Sequence, residues 1–76
     1  MEVDFLLQRG DAVIAIEVKA RGRLDPAAFA GLKAVAELSG VSRRILIYLG
    51  GHRFRHETGV EVLPFASFLE ELEKGL

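Results

Sequence analysis

The 76-residue chain contains no cysteine and no tryptophan, one methionine, one tyrosine and only two prolines. Without cysteine there is neither a disulfide framework nor a thiolate metal site. No apolar run approaches the roughly 20 residues that a bilayer span requires. Acidic Glu2 and Asp4 stand where a secretory leader would carry basic residues. These absences predict a cytoplasmic protein with no membrane segment. No internal repeat, low-complexity tract or linker divides the sequence, so residues 1–76 are expected to form a single domain. That length lies near the size at which one hydrophobic core gives only marginal stability.

What is present is enough for a core. Half of the residues are hydrophobic, and the aromatic ones are mainly phenylalanine, unlike the polar make-up of disordered chains. The net charge of -1 hides an uneven distribution: residues 1–56 carry nine Lys or Arg against six Asp or Glu, and residues 57–76 carry one against five. A mildly basic front can meet phosphates, although ordinary solvating charge explains it equally well.

The first twenty residues, MEVDFLLQRGDAVIAIEVKA, organise the rest. Apolar runs on either side of Arg9-Gly10-Asp11 predict an antiparallel hairpin with Gly10 and Asp11 as its two turn residues. Arg9 then pairs with Ala12, Asp4 faces Glu17, and Glu2 faces Lys19. Strand alternation puts Glu2, Asp4, Glu17 and Lys19 on one face with Leu6, Val13 and Ala15. Val3, Phe5, Leu7, Ile14, Ile16 and Val18 share the other.

Asp25-Pro26 is a helix start, with Asp as N-cap and Pro at the first helical position. The spacing of Ala28, Phe29, Leu32, Val35 and Ala36 predicts a helix to about Ser39, ended by Gly40. Ile45 to Leu49 is a continuous apolar run, as expected of a strand buried on both faces. Strand, crossover helix and strand make a right-handed βαβ unit, placing this strand parallel to the one bearing Glu17. Gly50-Gly51 closes it as a turn. His52 to Thr58 reads as an edge strand or loop, and Val60 to Leu63 as a short strand. Pro64 opens a final helix with Phe65, Phe68, Leu69 and Leu72 as its apolar stripe. The fold class is therefore α/β in the α+β sense, a mixed sheet with a C-terminal helix.

A one-sided run of charges on a strand is usually a solvated face. Here the strand holding Glu17 and Lys19 is expected to be central, where charges are costly to bury, and the charges gather at one end of an otherwise apolar face. Directly opposed residues have Cβ atoms roughly 4.5–5.5 Å apart, so the Asp4 and Glu17 carboxylates can hold one hard cation, Mg²⁺ or Mn²⁺. An ammonium two residues along, Lys19, suits a role in positioning water and offsetting charge on a phosphate. His52 and His56 are four apart but do not lie on a predicted helix, and are expected to be solvent-exposed.

Val3-Asp4-Phe5, a hairpin, and Ile16-Glu17-Val18-Lys19 resemble the signature of the PD-(D/E)XK nuclease superfamily. The whole chain is similar to an uncharacterised domain at the C-terminus of certain prokaryotic AAA-type ATPases. The resemblance implies a minimal restriction-endonuclease-like fold, with Asp4, Glu17 and Lys19 catalytic and Asp4, Glu17 and the Val18 carbonyl as metal ligands. It further implies a nucleic-acid substrate and an ATPase partner. Arg21, Arg23, Arg43 and Arg44 flank the strand ends and are candidate phosphate contacts. Compared with family nucleases, an initial helix and strand are missing, and Val3 replaces the proline before the motif Asp. The face bearing Leu6, Val13 and Ala15 is then expected to lack a lid other than the C-terminal helix, which predicts a homodimer. The rival reading is an inactive module that keeps the fold for nucleic-acid or protein binding.

Overall fold

The computed structural model describes residues 3–76. Hairpin strands β1 (Phe5–Arg9) and β2 (Ala12–Lys19) pair antiparallel with Arg9 opposite Ala12 and Phe5 opposite Ile16, the register expected from a two-residue turn. Gly10 takes φ +61° at the first turn position. A positive φ there belongs to the type II′ turn, whose twist matches that of the flanking strands. The predicted pairing of Glu2 with Lys19 lies outside the described residues.

Asp25 caps the next element as predicted: its Oδ1 accepts the Ala28 N–H at 3.1 Å. A 3₁₀ turn, Pro26–Phe29, runs into the helix α1, Ala30–Val35. The helix is shorter than the expected span to Ser39. Ala36, the last position of the predicted apolar stripe, is exposed, so nothing holds a further turn against the sheet. Gly40, with φ +86°, turns the chain into the next strand, and its carbonyl accepts the Val13 N–H at 2.8 Å.

Strand β3 (Val41–Tyr48) lies parallel to β2, followed by a two-residue strand β4 (Phe54–Arg55), β5 (Glu61–Pro64) and helix α2 (Phe65–Glu73). The sheet order is β1-β2-β3-β5-β4. It is mixed: β2, β3 and β5 are parallel, and the outer strands β1 and β4 run antiparallel to their neighbours. The fold class is thus α+β, with one five-stranded mixed sheet and two helices.

The sheet separates two core clusters. Ala15, Leu46, Tyr48, Val60 and Val62 pack with Ala28, Phe29, Leu32 and Val35 beneath the crossover. Ile14, Ile16, Ile45, Ile47 and Leu63 face the other way, toward Phe68 of α2 and Leu76. Ile45 to Tyr48 are buried throughout, as a strand covered on both faces should be.

This arrangement corrects the predicted lid. The face bearing Ala15 is covered by the crossover helix α1, whereas α2 covers the opposite face. What stays open is β1, all five residues of which are exposed. Phe65, Leu69 and Leu72, predicted to pack as a stripe with Phe68, are also exposed, since only the Phe68 side of α2 meets the sheet.

Candidate functional site

Glu17 and Lys19 stand near the end of β2, on the face that carries Ala15 and looks toward α1. Glu17 is only 9% exposed, the one charged side chain in the buried interior among the described residues. Asp4 comes from just before β1. The ladder stops at the Phe5–Ile16 pair, and beyond it the Asp4 carboxylate takes over: its Oδ2 accepts the Val18 N–H at 2.8 Å. Asp4 is thus not a regular strand residue opposite Glu17, as the extended hairpin predicted. The acid caps the strand that carries its partner.

The three predicted side chains come together. Asp4, Glu17 and Lys19 line one cleft of about 430 Å³ with Val3, and its other wall is Ala27, Ala28, Ala30, Gly31 and Ala34 from the crossover. That wall was not anticipated from the sequence. Its signal was there: small residues at 27, 30, 31 and 34 recur with helical spacing on the side away from Leu32 and Val35. Without large side chains on this flank of α1, the acids are not roofed over.

The donors suit a hard cation. Two carboxylates converge on this corner, and the N–H and C=O of one strand residue leave on the same edge, so the Val18 carbonyl also points to the side where Asp4 sits. An all-oxygen set of this kind matches Mg²⁺ or Mn²⁺. Among the described residues, no group of three or more His, Asp or Glu side chains is arranged to hold a metal, so a cation here needs the backbone oxygen and water to complete its shell.

The arginines divide. Arg21 and Arg23 are exposed just beyond the end of β2 and do not line the cleft; Arg21 lies 3.7 Å from Asp25 across an exposed pair that contributes little. Arg43 and Arg44 are elsewhere. They pair with Ile14 and Ala15, toward the start of β2, and are taken up inside the fold. Arg43 grips Glu61 through two hydrogen bonds of 2.9 and 2.8 Å and reaches Glu71 of α2 at 3.3 Å. This pairing outweighs burial and holds the Glu61 carboxyl below its ordinary range. Arg44 donates to the carbonyls of Leu32, at 3.1 Å, and Thr58, at 2.5 Å. Both tie secondary elements together, which answers the expectation that they flank the site.

The two histidines also separate. His52 is exposed, and its backbone N–H and C=O both bond the Tyr48 hydroxyl, at 3.2 and 2.7 Å. His56 is not solvent-exposed as predicted. Its ring stacks on Phe29 with centroids 3.9 Å apart and planes 13° apart, and its Nδ1 meets the Thr58 hydroxyl at 2.8 Å.

A mixed α+β domain with one acidic, lysine-bearing cleft at the end of a central strand is the class that fold and geometry define. The family described as Domain of unknown function (DUF4143) matches residues 1–68, nearly the whole chain, and the protein belongs to that family. The domain is found in AAA-type ATPase-associated proteins. No curated protein and no solved structure matches the chain. No helix of the described residues is long and apolar enough to cross a membrane.

Proposed function

We propose that the domain is a divalent-metal-dependent nuclease of the PD-(D/E)XK type, hydrolysing nucleic-acid phosphodiesters in the Asp4–Glu17–Lys19 cleft. The observation that carries this reading is the convergence of those three side chains on one open cleft, with the Val18 backbone at the same corner. Asp4, Glu17 and the Val18 carbonyl would hold Mg²⁺ or Mn²⁺, which, when bound, supplies Lewis acidity toward a phosphoryl oxygen and a more acidic water. Lys19 orients the attacking water and balances charge on the phosphate as the water oxygen joins phosphorus and a P–O ester bond breaks. The buried setting of Glu17 limits how many waters compete for its oxygens. Arg21 and Arg23, exposed at the same end, fit contacts to flanking phosphates that position the strand without reading its sequence.

A second reading is favoured by one specific contact. Because Asp4 Oδ2 already accepts the Val18 N–H, Asp4 has a structural duty that an inactive binding module would retain. Calorimetric titration of Mn²⁺ into the parent and into Glu17→Gln, followed by incubation of both with plasmid and single-stranded substrates, separates the two. Metal-dependent cleavage lost in Glu17→Gln supports the nuclease, and a parent that binds no Mn²⁺ refutes it. An ATPase that works alongside the domain is the natural partner to test next, given where the family is found.

A further inference from the structure

We infer that strand β1 is a self-pairing edge, through which two copies of this chain join their sheets about a two-fold axis at Leu6. The two edges of the sheet are built differently. The β4 edge is two residues long and carries Arg55, with Arg53 just before it. Short length and positive charge are the ordinary means of blocking edge-to-edge association. The β1 edge is less guarded: its one cation, Arg9, stands at the turn end and donates to the Gly75 carbonyl. It is five residues long, FLLQR, free of proline, and leaves Phe5 57%, Leu6 53% and Leu7 37% exposed.

The turn decides which backbone groups face outward. Arg9 and Ala12 flank a two-residue turn and form a hydrogen-bonded pair, so Phe5, Leu7 and Arg9 spend their backbone groups on β2. Leu6 and Gln8 direct theirs to the free edge. A two-fold axis perpendicular to the sheet keeps each side chain on its own face, so a residue can meet only partners an even number of positions away, or itself. Registers centred on Leu6, Leu7 or Gln8 satisfy that rule; the last sets Leu7 opposite Arg9 and leaves Phe5 unpaired, and the other two engage Phe5. One centres on Leu7 and sets Phe5 opposite Arg9 and Leu6 opposite Gln8. The other centres on Leu6, makes Leu6 a hydrogen-bonded pair with its own copy, and sets Phe5 opposite Leu7 twice in the closer, non-hydrogen-bonded positions. The second matches every apolar side chain to an apolar one.

The occupant is a second copy because the strand is complementary to itself in this register. Phe5 and Leu7 of both copies then form one apolar block on the α2 side of the sheet, at the edge that the helix does not reach. The exposed flank of α2, with Phe65, Leu69 and Leu72, borders the same face. On the opposite face both clefts open to the same side. The contact is small by the standard of stable interfaces, about 800 Å² per partner, so the dimer is expected to exchange, with dissociation in roughly the micromolar range characteristic of small contacts.

The test uses the whole chain. Sedimentation equilibrium over a micromolar-to-millimolar series should show a monomer–dimer equilibrium, and Leu6→Lys, which puts two like charges at the axis, should shift dissociation at least tenfold while leaving the circular dichroism spectrum unchanged. Because the chain has no cysteine, Leu6→Cys under mild oxidation should give a covalent dimer. Gln8→Cys should not, since in this register position 8 lies well away from its own copy. A chain that stays monomeric throughout, or that cross-links equally at both positions, overturns the inference. So does a monomer whose Leu6 amide is protected only when an extended segment of another protein is added, which would assign the edge to a different partner.

Discussion

The carboxylate of Asp4 accepts the backbone N–H of Val18 at 2.8 Å, so the acid proposed as a metal ligand also terminates the β1–β2 ladder. One oxygen is engaged by the backbone, and a cation entering the corner must share that carboxylate with the strand. The relationship makes stability and metal binding separable by substitution.

Asp4→Ala should lower stability by about 1 kcal/mol, the usual net worth of one hydrogen bond, and should abolish metal binding. Asp4→Asn keeps an acceptor for the Val18 N–H and should restore most of the stability without restoring the metal. Urea midpoints paired with Mn²⁺ calorimetry on the two variants check both halves. In the parent, titration with diamagnetic Mg²⁺ should move the Val18 amide resonance more than those of β5.

Ala34→Leu extends a side chain into the cleft from its alanine wall. Leucine is a good helix former and Ala34 is exposed, so the melting temperature should stay within a few degrees. Metal binding should persist while cleavage of a polymeric substrate falls at least tenfold. Loss of metal binding together with cleavage would show that the wall holds the acids in place and does not admit substrate.

The Arg43–Glu61 pair gives a pH dependence with a definite sign. Hydrogen bonding to Arg43 lowers the Glu61 pKa below 4.5. A carboxylate with a depressed folded-state pKa stabilises the fold above its unfolded value and loses that contribution as pH falls through the folded value. Denaturation midpoints should therefore drop below about pH 4.5 in the parent, and Glu61→Gln should flatten that part of the profile. Arg43→Ala, which leaves Glu61 and Glu71 without their shared cation, should cost about 2 kcal/mol at neutral pH.

Gly50→Ala should be among the more damaging single changes at a surface loop. A Cβ there would collide with the ring of Tyr48, whose hydroxyl is fixed by the His52 backbone at 2.7 and 3.2 Å. Overpacking of this kind costs about 1–3 kcal/mol. Thermal melts of Gly50→Ala and Gly51→Ala provide the comparison, since nothing crowds a Cβ at Gly51.

The hairpin register was legible because a two-residue turn and an apolar alternation leave one solution, and strand alternation puts Glu17 and Lys19 on one face; Asp4 reaches the same cleft from outside the ladder. The parallel placement of β3 followed from the length of its crossover. What sequence reasoning missed depends on long-range packing. The face that α2 covers depends on where β5 inserts, between β3 and β4, and the apolar spacing of α2 is silent on that point. Arg43 and Arg44 read as surface cations because their partners, Glu61, Glu71 and the carbonyls of Leu32 and Thr58, lie 12 or more residues away. His56 looked solvent-bound for the same reason: Phe29, against which it stacks, comes from the distant 3₁₀ turn of the β2–β3 crossover.

The cleft is assembled from residues 3–34, and its strand pairing is a hairpin, the most local contact the sheet contains. Loop closure for that pair costs far less chain entropy than joining β3 to β5. The proposed site should therefore form early in folding and outlast the opening of the β4–α2 half, so amide exchange across β2 should be slower than across β5. A domain built this way can loosen one side of its sheet to engage another protein while the acidic corner keeps its shape.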